Sequence, residues 1–354
     1  MRKEAALRRV RGFLLVLGLS FFYILVFARS AEEELLVRPL WSLDVDDSSI
    51  SAGVDDRVPF RLGSLIGYFG SDGRLAFREQ IIHDAALFEE SFVNYSSVSE
   101  TAVLRDSDGR VIRSINEPGY PFGVGERLYI LHPDGAGLSE WGADGEALWS
   151  RKLPSLVTDV AAGDSLTAVG LVSGEIMLLD ADGAEAARYR TLGSRIAVVY
   201  GVSINEAAGT IAAVVGADPQ RLLFLNYRDE QLTPGVQGDL TSHFRRPVFL
   251  QFLPQYGLAA VETPTGVTFV SPGSGRSWPL EGAGTLSGFS ASPGQIVLLA
   301  TESEGQQSIQ ALVPPGRLVF RLSVEAESVF LDVRDWVGYL GIEDHILSIA
   351  LERG

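Results

Sequence analysis

Residues 166–183 read LTAVGLVSGEIMLLDADG, two apolar runs that are separated by Ser173-Gly174 and followed by Asp182-Gly183. Asp-Gly between extended runs predicts a type I′ hairpin turn, because both central residues of that turn need positive φ. A short extended run at residues 157–161 precedes this stretch, and residues 184–192 alternate in polarity after it. We therefore expect four consecutive antiparallel strands.

The Asp-Gly pair recurs along the first half of the chain. Four pairs, at residues 72–73, 108–109, 144–145 and 182–183, have glycines 36, 36 and 38 residues apart. A period of this size indicates an array of supersecondary units, and the unit here is a small antiparallel sheet.

The preceding unit, residues 120–153, repeats this plan around Asp144-Gly145. The later units keep the strand order with looser turns and cover residues 197–236, 248–280 and 288–322. The last unit, residues 328–351, lacks its outer strand. Leu40-Trp41-Ser42-Leu43 repeats the pattern of Leu148-Trp149-Ser150 in an outer-strand position. Residues 37–45 are therefore predicted to complete the last sheet and close a ring, which removes an unpaired strand edge.

These units predict an all-β fold, a seven-bladed β-propeller. Seven blades average about 46 residues each, close to known propeller repeats. Eight blades result if the hairpin at residues 64–80 forms a blade of its own.

The repeats resemble the WD40-like and PQQ-like β-propeller superfamily. The resemblance lies in residues 166–174, residues 175–183 and Glu146-Ala-Leu-Trp149, and it extends over nearly the whole region after residue 30. WD dipeptides and the Gly-His signature of true WD40 repeats are missing. The resemblance implies a fold rather than an activity. Its nearest functional analogy is an outer-membrane assembly scaffold, although such scaffolds are often lipid-anchored through a Cys.

The amino terminus predicts membrane targeting. Residues 1–11 are basic, and residues 12–28 carry no charge. Seventeen residues give about 26 Å of helix, at the short end of what crosses a hydrocarbon core of about 30 Å. We expect a cytoplasmic tail (1–11), a single-pass signal anchor (12–28), a linker (29–36) and a propeller (37–354) outside the cytoplasmic, or inner, membrane. Ala28-Arg29-Ser30 leaves a cleaved signal peptide as the alternative.

Composition narrows the possible partners. The chain has no Cys, which excludes disulfides, thiolate chemistry and a lipid-modified Cys. Residues 31–354 hold 23 Arg and Lys against 44 Asp and Glu, a net charge of −21. Such a surface repels nucleic acid, so no nucleic-acid partner is expected.

The sequence shows no catalytic constellation. The four histidines, residues 83, 132, 243 and 345, lack metal-like spacing, so no metal site is predicted. The quinone-dependent dehydrogenases of the resembling superfamily generally hold calcium with carboxylates and Asn, often beside a Cys pair. Neither the acidic and amide cluster nor Cys is found here, and no cofactor is predicted.

A partner-binding rim is the main functional hypothesis. In four-stranded blades, the connections between blades and the loops between second and third strands open on one face. That face collects seven candidate partner-binding residues: Tyr120, Arg195, Gln220, Arg221, His243, Arg245 and Arg246. Arginine offers a planar fork for carboxylate, so the expected partner is a protein with an acidic or polar segment. In the alternative interpretation, Arg195, Arg221 and Arg245 pair with acids such as Asp218 and Asp239 and join two blades.

The predicted function is therefore a membrane-anchored, extracytoplasmic scaffold for protein–protein interaction, with an envelope assembly as its setting. The alternative is an exported enzyme of hydrolase or lyase type, acting on a small or glycan substrate through the central funnel with carboxylates as acid and base. Two convergent carboxylates in the funnel would favour the enzyme. An open rim of Arg and aromatic residues would favour binding.

Overall fold

Short alternating segments form antiparallel strands throughout the part of the chain that the structure describes. The computed structural model describes residues 35–96, 100–280, 282, 284–292 and 296–353. These residues form 31 strands in eight sheets and two short 3-10 helices, Glu206–Ala208 and Pro254–Tyr256. The predicted anchor at residues 12–28 lies outside the described residues. Within the described residues, no helix is long and apolar enough to cross a bilayer.

Each sheet is one blade, and consecutive strands are neighbours within it. Blade 1 contains β2 (Arg57–Leu62), β3 (Leu65–Gly70) and β4 (Leu75–Gln80); blade 2 contains β5 (Asp84–Leu87), β6 (Ser91–Tyr95), β7 (Ala102–Asp106) and β8 (Val111–Ile115); blade 3 contains β9 (Tyr120–Val124), β10 (Arg127–Leu131), β11 (Gly137–Trp141) and β12 (Ala147–Lys152); blade 4 contains β13 (Val157–Ala162), β14 (Thr167–Leu171), β15 (Glu175–Leu179) and β16 (Glu185–Arg190).

The second half of the chain continues this plan. Blade 5 contains β17 (Val199–Asn205), β18 (Thr210–Val215), β19 (Arg221–Arg228) and β20 (Gln231–Asp239); blade 6 contains β21 (Leu250–Leu253), β22 (Leu258–Thr263), β23 (Gly266–Val270) and β24 (Ser277–Pro279); blade 7 contains β25 (Thr285–Ala291), β26 (Val297–Ser303), β27 (Gln306–Val313) and β28 (Arg317–Glu325); blade 8 contains β29 (Val329–Arg334), β30 (Val337–Ile342), β31 (His345–Arg353) and β1 (Leu35–Asp44).

The propeller therefore has eight blades, and the predicted count of seven is wrong. The hairpin at residues 64–80 does belong to a blade of its own, because β2 pairs with β3 and turns it into a three-stranded sheet. Gly73 of blade 1 lies against Trp41 of β1, just as Gly183 of blade 4 lies against Trp149 of β12. By this comparison β4 is the outermost strand of blade 1, and its innermost strand is the missing one.

The predicted ring closure is confirmed. The last sheet has the order β1-β31-β30-β29, so a strand from the beginning of the chain completes it. The Val45 N–H donates to the Asp344 carbonyl at 2.8 Å. The ring of Trp41 packs edge-on against Phe69 of blade 1, with 5.7 Å between the ring centroids. Residues 39–350 form one compact unit, and residues 35–38 and 351–353, all extended, belong to a second small unit.

The four regularly spaced Asp-Gly turns each precede an outermost strand, but they are not type I′ turns. The glycine φ angles are 83°, 81°, 72° and 72° at Gly73, Gly109, Gly145 and Gly183, whereas the preceding aspartates are not among the residues with positive φ. Each glycine N–H donates to the carbonyl three residues earlier. In each hairpin the register also shifts by one residue, and the unpaired residue lies on the strand that follows the turn. These features define a type I turn followed by a left-handed bulge residue, which needs only one glycine.

Side chains of the inner strands join neighbouring blades. The Val202 N–H donates to Asp159 Oδ2 at 2.7 Å, the Phe252 N–H to Ser203 Oγ at 3.0 Å, and the Val333 N–H to Ser290 Oγ at 3.1 Å. In each case the acceptor lies on the first strand of one blade and the donor on the first strand of the next. We call these contacts inner-strand clasps.

Candidate functional site

One face of the propeller collects the candidate residues. Backbone hydrogen bonds join the connections between blades to the loops between second and third strands, as from Thr191 N–H to the Gly174 carbonyl and from Leu240 N–H to the Gln220 carbonyl. We call this the blade-connection face. The Asp-Gly turns open at the opposite ends of the same strands, so they form a separate Asp-Gly face.

Two of the predicted arginines join blades 4 and 5. Arg195, in the connection between them, places Nε 3.3 Å from Asp218 Oδ2, and its N–H donates to the Asp218 carbonyl at 3.1 Å. The Arg221 guanidinium donates to the Leu192 carbonyl. Both contacts fit the alternative interpretation, in which these side chains fasten loops together. Arg221, however, uses a backbone carbonyl rather than a carboxylate.

Gln220 is a structural residue. It is fully buried, its Nε2 donates to the Phe244 carbonyl at 3.2 Å, and its Oε1 accepts from Ser242 Oγ at 2.7 Å. The side chain therefore holds the loop that carries His243 and Arg245, and it does not reach a partner itself. The sequence pattern placed Gln220 on the right face but could not show its burial.

Arg246 is held by a buried carboxylate. Its Nη2 lies 2.6 Å from Oε1 of Glu262, a residue only 2% exposed, and its Nη1 donates to Oε2 at 3.0 Å. The guanidinium also lies over the Phe244 ring at 4.6 Å. The Glu262 carboxylate raises the pKa of Arg246. This bidentate ion pair fixes the connection between blades 5 and 6 to strand β22.

The side chains of His243, Arg245 and Tyr120 are exposed on the blade-connection face, where a partner can contact them. His243 and Arg245 are exposed, and neither side chain forms a hydrogen bond or ion pair with another described residue. Tyr120 is exposed at the beginning of β9 in blade 3. The structure thus brings Arg195, Gln220, Arg221 and the 243–246 loop together around blade 5, with Tyr120 on a blade further along the ring.

An exposed apolar patch lies on the same face, and sequence reasoning missed it. Its members are Leu156, Val172, Leu192 and Ile196, of which Leu192 is 73% exposed. The Val172 N–H donates to the Leu156 carbonyl, and the Ala217 N–H donates to the Ile196 carbonyl, so the loops that carry these side chains adjoin one another. We call this group the blade 4 patch. Its signal in the sequence is a set of large apolar residues in predicted connections or at the strand ends beside them, where polar residues are the rule.

A cavity of about 900 Å³ lies among the inner strands of blades 3 to 7. Its lining includes Phe122, Phe249 and Phe289, together with the carboxylates of Asp159 and Glu262. Burial raises the pKa of Asp159 to about 6, opposed by the backbone N–H groups of Val202 and Val160. Because Arg246 neutralises Glu262, the described lining of the cavity does not present two unpaired carboxylates for acid and base roles.

One group of potential metal ligands occurs among the described residues. Asp44, Asp344 and His345 offer ligand atoms within 4.8 Å of one another. His345 Nδ1 lies 2.5 Å from Asp344 Oδ1, and Nε2 lies 3.7 Å from Asp44 Oδ2. The Asp344 carboxylate raises the pKa of His345, which lowers the pKa of Asp344 in turn. The two ring nitrogens face different carboxylates, which is the geometry of an exposed ion-pair cluster.

Comparison with known proteins agrees with this architecture. A family model described as "beta-propeller protein" matches residues 7–354. An "Uncharacterized protein" of Treponema pallidum (strain Nichols) is 25% identical over 217 residues, which cover 61% of this chain and 56% of that protein. The match therefore spans only a little over half the length of that relative.

Solved structures share the fold at low sequence identity. BamB from Moraxella catarrhalis has a TM-score of 0.61 and 13% identity, covering 89% of this chain and 100% of that chain. The computationally designed Ika8 protein has a TM-score of 0.58 and 14% identity, with coverage of 86% and 99%. A chain of the Mitotic Checkpoint Complex has a TM-score of 0.57 and 14% identity, with coverage of 86% and 98%. With eight sheets, a closed ring and a family model that extends over nearly its whole length, the chain belongs to the β-propeller protein family.

Proposed function

We propose that this protein is a protein-interaction scaffold whose partner docks on the blade-connection face around blades 4 and 5. The observation that carries the proposal is the blade 4 patch, four exposed apolar side chains on adjoining loops. Clustered exposed apolar side chains on a rigid scaffold mark interaction surfaces more often than scattered ones do.

Charge around the patch indicates the chemistry of the partner. The whole chain has a net charge of −16, yet His243 and Arg245 are exposed near the patch without an acidic side chain bonded to them. A partner segment that combines apolar anchors with acidic residues complements both features. The Mitotic Checkpoint Complex chain with this fold is part of an assembly, which supports a scaffold role by analogy of fold alone.

The enzyme alternative has weaker support. Its expected signature is a pair of convergent carboxylates in the funnel, and Glu262 in the cavity is already bound by Arg246. Asp159 is therefore left without a second unpaired carboxylate among the described lining residues.

The partner surface can be tested with two matched double variants. Leu192→Ser with Arg245→Ala alters the blade-connection face, whereas Leu148→Ser with Arg110→Ala alters exposed residues of the same types on an outermost strand and the Asp-Gly face. We expect in-cell crosslinking with quantitative mass spectrometry to show a partner that the first variant loses and the second retains. Thermal unfolding of both variants should match that of the unaltered protein, because exposed substitutions usually change stability by about 0.5 kcal/mol or less.

Equal capture of the same partners by both double variants would contradict the proposed surface. Loss of the partner by the control variant alone would indicate that the interface lies on the outer strands or the Asp-Gly face.

The proposal also includes a membrane anchor at residues 12–28, with the propeller on the extracytoplasmic side. Its support is the uncharged, apolar sequence after a basic segment. The full chain should stay with membranes after an alkaline carbonate wash. Leu17→Arg with Leu19→Arg should release it, because each Arg at the centre of a spanning helix costs about 2.5–3.5 kcal/mol. The matched control is Leu17→Ala with Leu19→Ala, and release of the unaltered chain by carbonate would refute the anchor.

A further inference from the structure

The central cavity has the character of a ligand site rather than a simple channel. Its volume of about 900 Å³ is within the range of small-molecule sites, and its walls carry the partly exposed rings of Phe122, Phe249 and Phe289. Phe249 and Phe289 belong to different blades and lie 4.8 Å apart between centroids. Aromatic rings that meet at a cavity wall offer a surface for an apolar or aromatic ligand body.

Asp159 is the unusual polar group in this cavity. It forms an inner-strand clasp with Val202, but the equivalent clasps between other blades use the hydroxyls of Ser203 and Ser290. The serine clasps show that a neutral hydroxyl is sufficient to accept this hydrogen bond. A carboxylate at the same position must lose its hydration, and this desolvation raises the pKa of Asp159 to about 6. The clasp alone therefore does not explain a carboxylate at this position.

The Asp159 carboxylate also has unused hydrogen-bond acceptor sites. The two backbone N–H groups that oppose its desolvation occupy fewer than the roughly four acceptor sites of an ionised carboxyl group. The other charged groups in the lining, Arg246 and Glu262, are bound to each other. Asp159 is consequently the group in the described lining that can pair with a ligand cation.

We propose that the cavity binds a small organic cation, a primary ammonium group on an apolar or aromatic body, with the ammonium on Asp159 and the body against Phe249 and Phe289. This site lies among inner strands and is separate from the blade 4 patch, so it does not depend on the proposed partner surface.

The probe is 2-phenylethylamine, and its uncharged isostere 2-phenylethanol is the matched ligand control. Binding to the full-length chain is followed by calorimetry and ligand-observed NMR at pH 7.5 and pH 5. Asp159→Asn keeps an acceptor for the Val202 N–H while it removes the charge, and Ser290→Ala removes a clasp elsewhere without touching the cavity carboxylate. Circular dichroism of both variants monitors folding.

We expect the amine to bind saturably at pH 7.5 and more tightly than the alcohol. Asp159→Asn should weaken amine binding by about tenfold or more, since it removes a charge-assisted bond, and Ser290→Ala should leave it unchanged. Amine affinity should also fall towards pH 5 as Asp159 takes up a proton, and this readout needs no variant. Equal affinity for amine and alcohol, unchanged binding in Asp159→Asn, or no saturable amine binding at millimolar concentration would overturn the proposal.

Discussion

Gly183 occupies a position that accepts hardly any other residue. Its φ is 72°, and a Cβ built there would lie 2.6 Å from Cδ2 of Trp149 on the preceding blade. Gly145 meets Arg113 and Gly109 meets Phe77 in the same way, at 2.7 Å and 2.5 Å. The repeated glycine therefore serves both the turn and the contact between blades.

Gly183→Ala should destabilise the protein more than Gly125→Ala does. Both glycines have positive φ, so both substitutions incur the left-handed backbone cost of about 1–2 kcal/mol. Gly125 has open space around its Cβ position, whereas Gly183 has the Trp149 ring there. Overpacking should add about 1–3 kcal/mol at Gly183, measured by urea unfolding. Equal losses would show that the Trp149 contact does not limit the turn.

Sequence reasoning located these turns but misassigned their geometry. Asp-Gly is compatible with a type I′ turn and with a type I turn plus a bulge, and only the φ of the aspartate distinguishes them. The same limit applies to Gln220. A polar residue in a loop predicts exposure, whereas its burial depends on Ser242 and Phe244, whose approach the sequence does not encode locally.

At the scale of elements, β1 is the strand on which closure depends. Trp41 packs against Phe69 of blade 1 and Tyr339 of its own blade, and its Nε1–H donates to the Ser71 carbonyl at 2.9 Å. The side chains of Leu43 and Val45 are buried in the apolar cluster between blades 8 and 1. The second half of β1 and the residue that follows it thus connect two sheets through their side chains.

Trp41→Ala should loosen blades 8 and 1 before the others. The ring is only partly buried, so we expect a loss of about 2–3 kcal/mol, below the 3–5 kcal/mol typical of a fully buried aromatic residue. Hydrogen exchange by mass spectrometry should show faster exchange in β2–β4 and β29–β31. The control is Leu40→Ala, the exposed neighbour on the same strand. Uniformly faster exchange around the ring would instead mean that the blades open as one unit.

The number of blades could have been read from the sequence, because glycine spacings of 36, 36 and 38 residues already correspond to one blade each. The three strands of blade 1 obscured that reading. Its first strand is missing, so residues 57–80 did not match the four-strand pattern of blade 4. Closure was predictable because Trp41 repeats the outer-strand pattern of Trp149.

For the whole molecule, strand order alone predicts which loops share a face, and this placed Arg195, Arg221 and the 243–246 loop near one another. It did not predict which side chains are already occupied. Arg246, in the connection between blades 5 and 6, pairs with Glu262 of β22, and Arg221 donates to the carbonyl of Leu192 in the connection between blades 4 and 5. The proposed partner surface therefore rests on the blade 4 patch rather than on the arginines. A search of the sequence for charged residues does not detect such an apolar patch.

The Val45–Asp344 hydrogen bond joins residues about 300 positions apart, a separation that makes the final pairing strongly non-local and slow to form. Most blades, by contrast, are continuous meanders that can assemble from residues close together in the chain. β1 has no strand edge to join until β31 has formed, because its neighbour in the last sheet is β31. A change that slows this last pairing should therefore lengthen the time for which the edges of β1 and β31 stay unpaired, and unpaired strand edges favour aggregation.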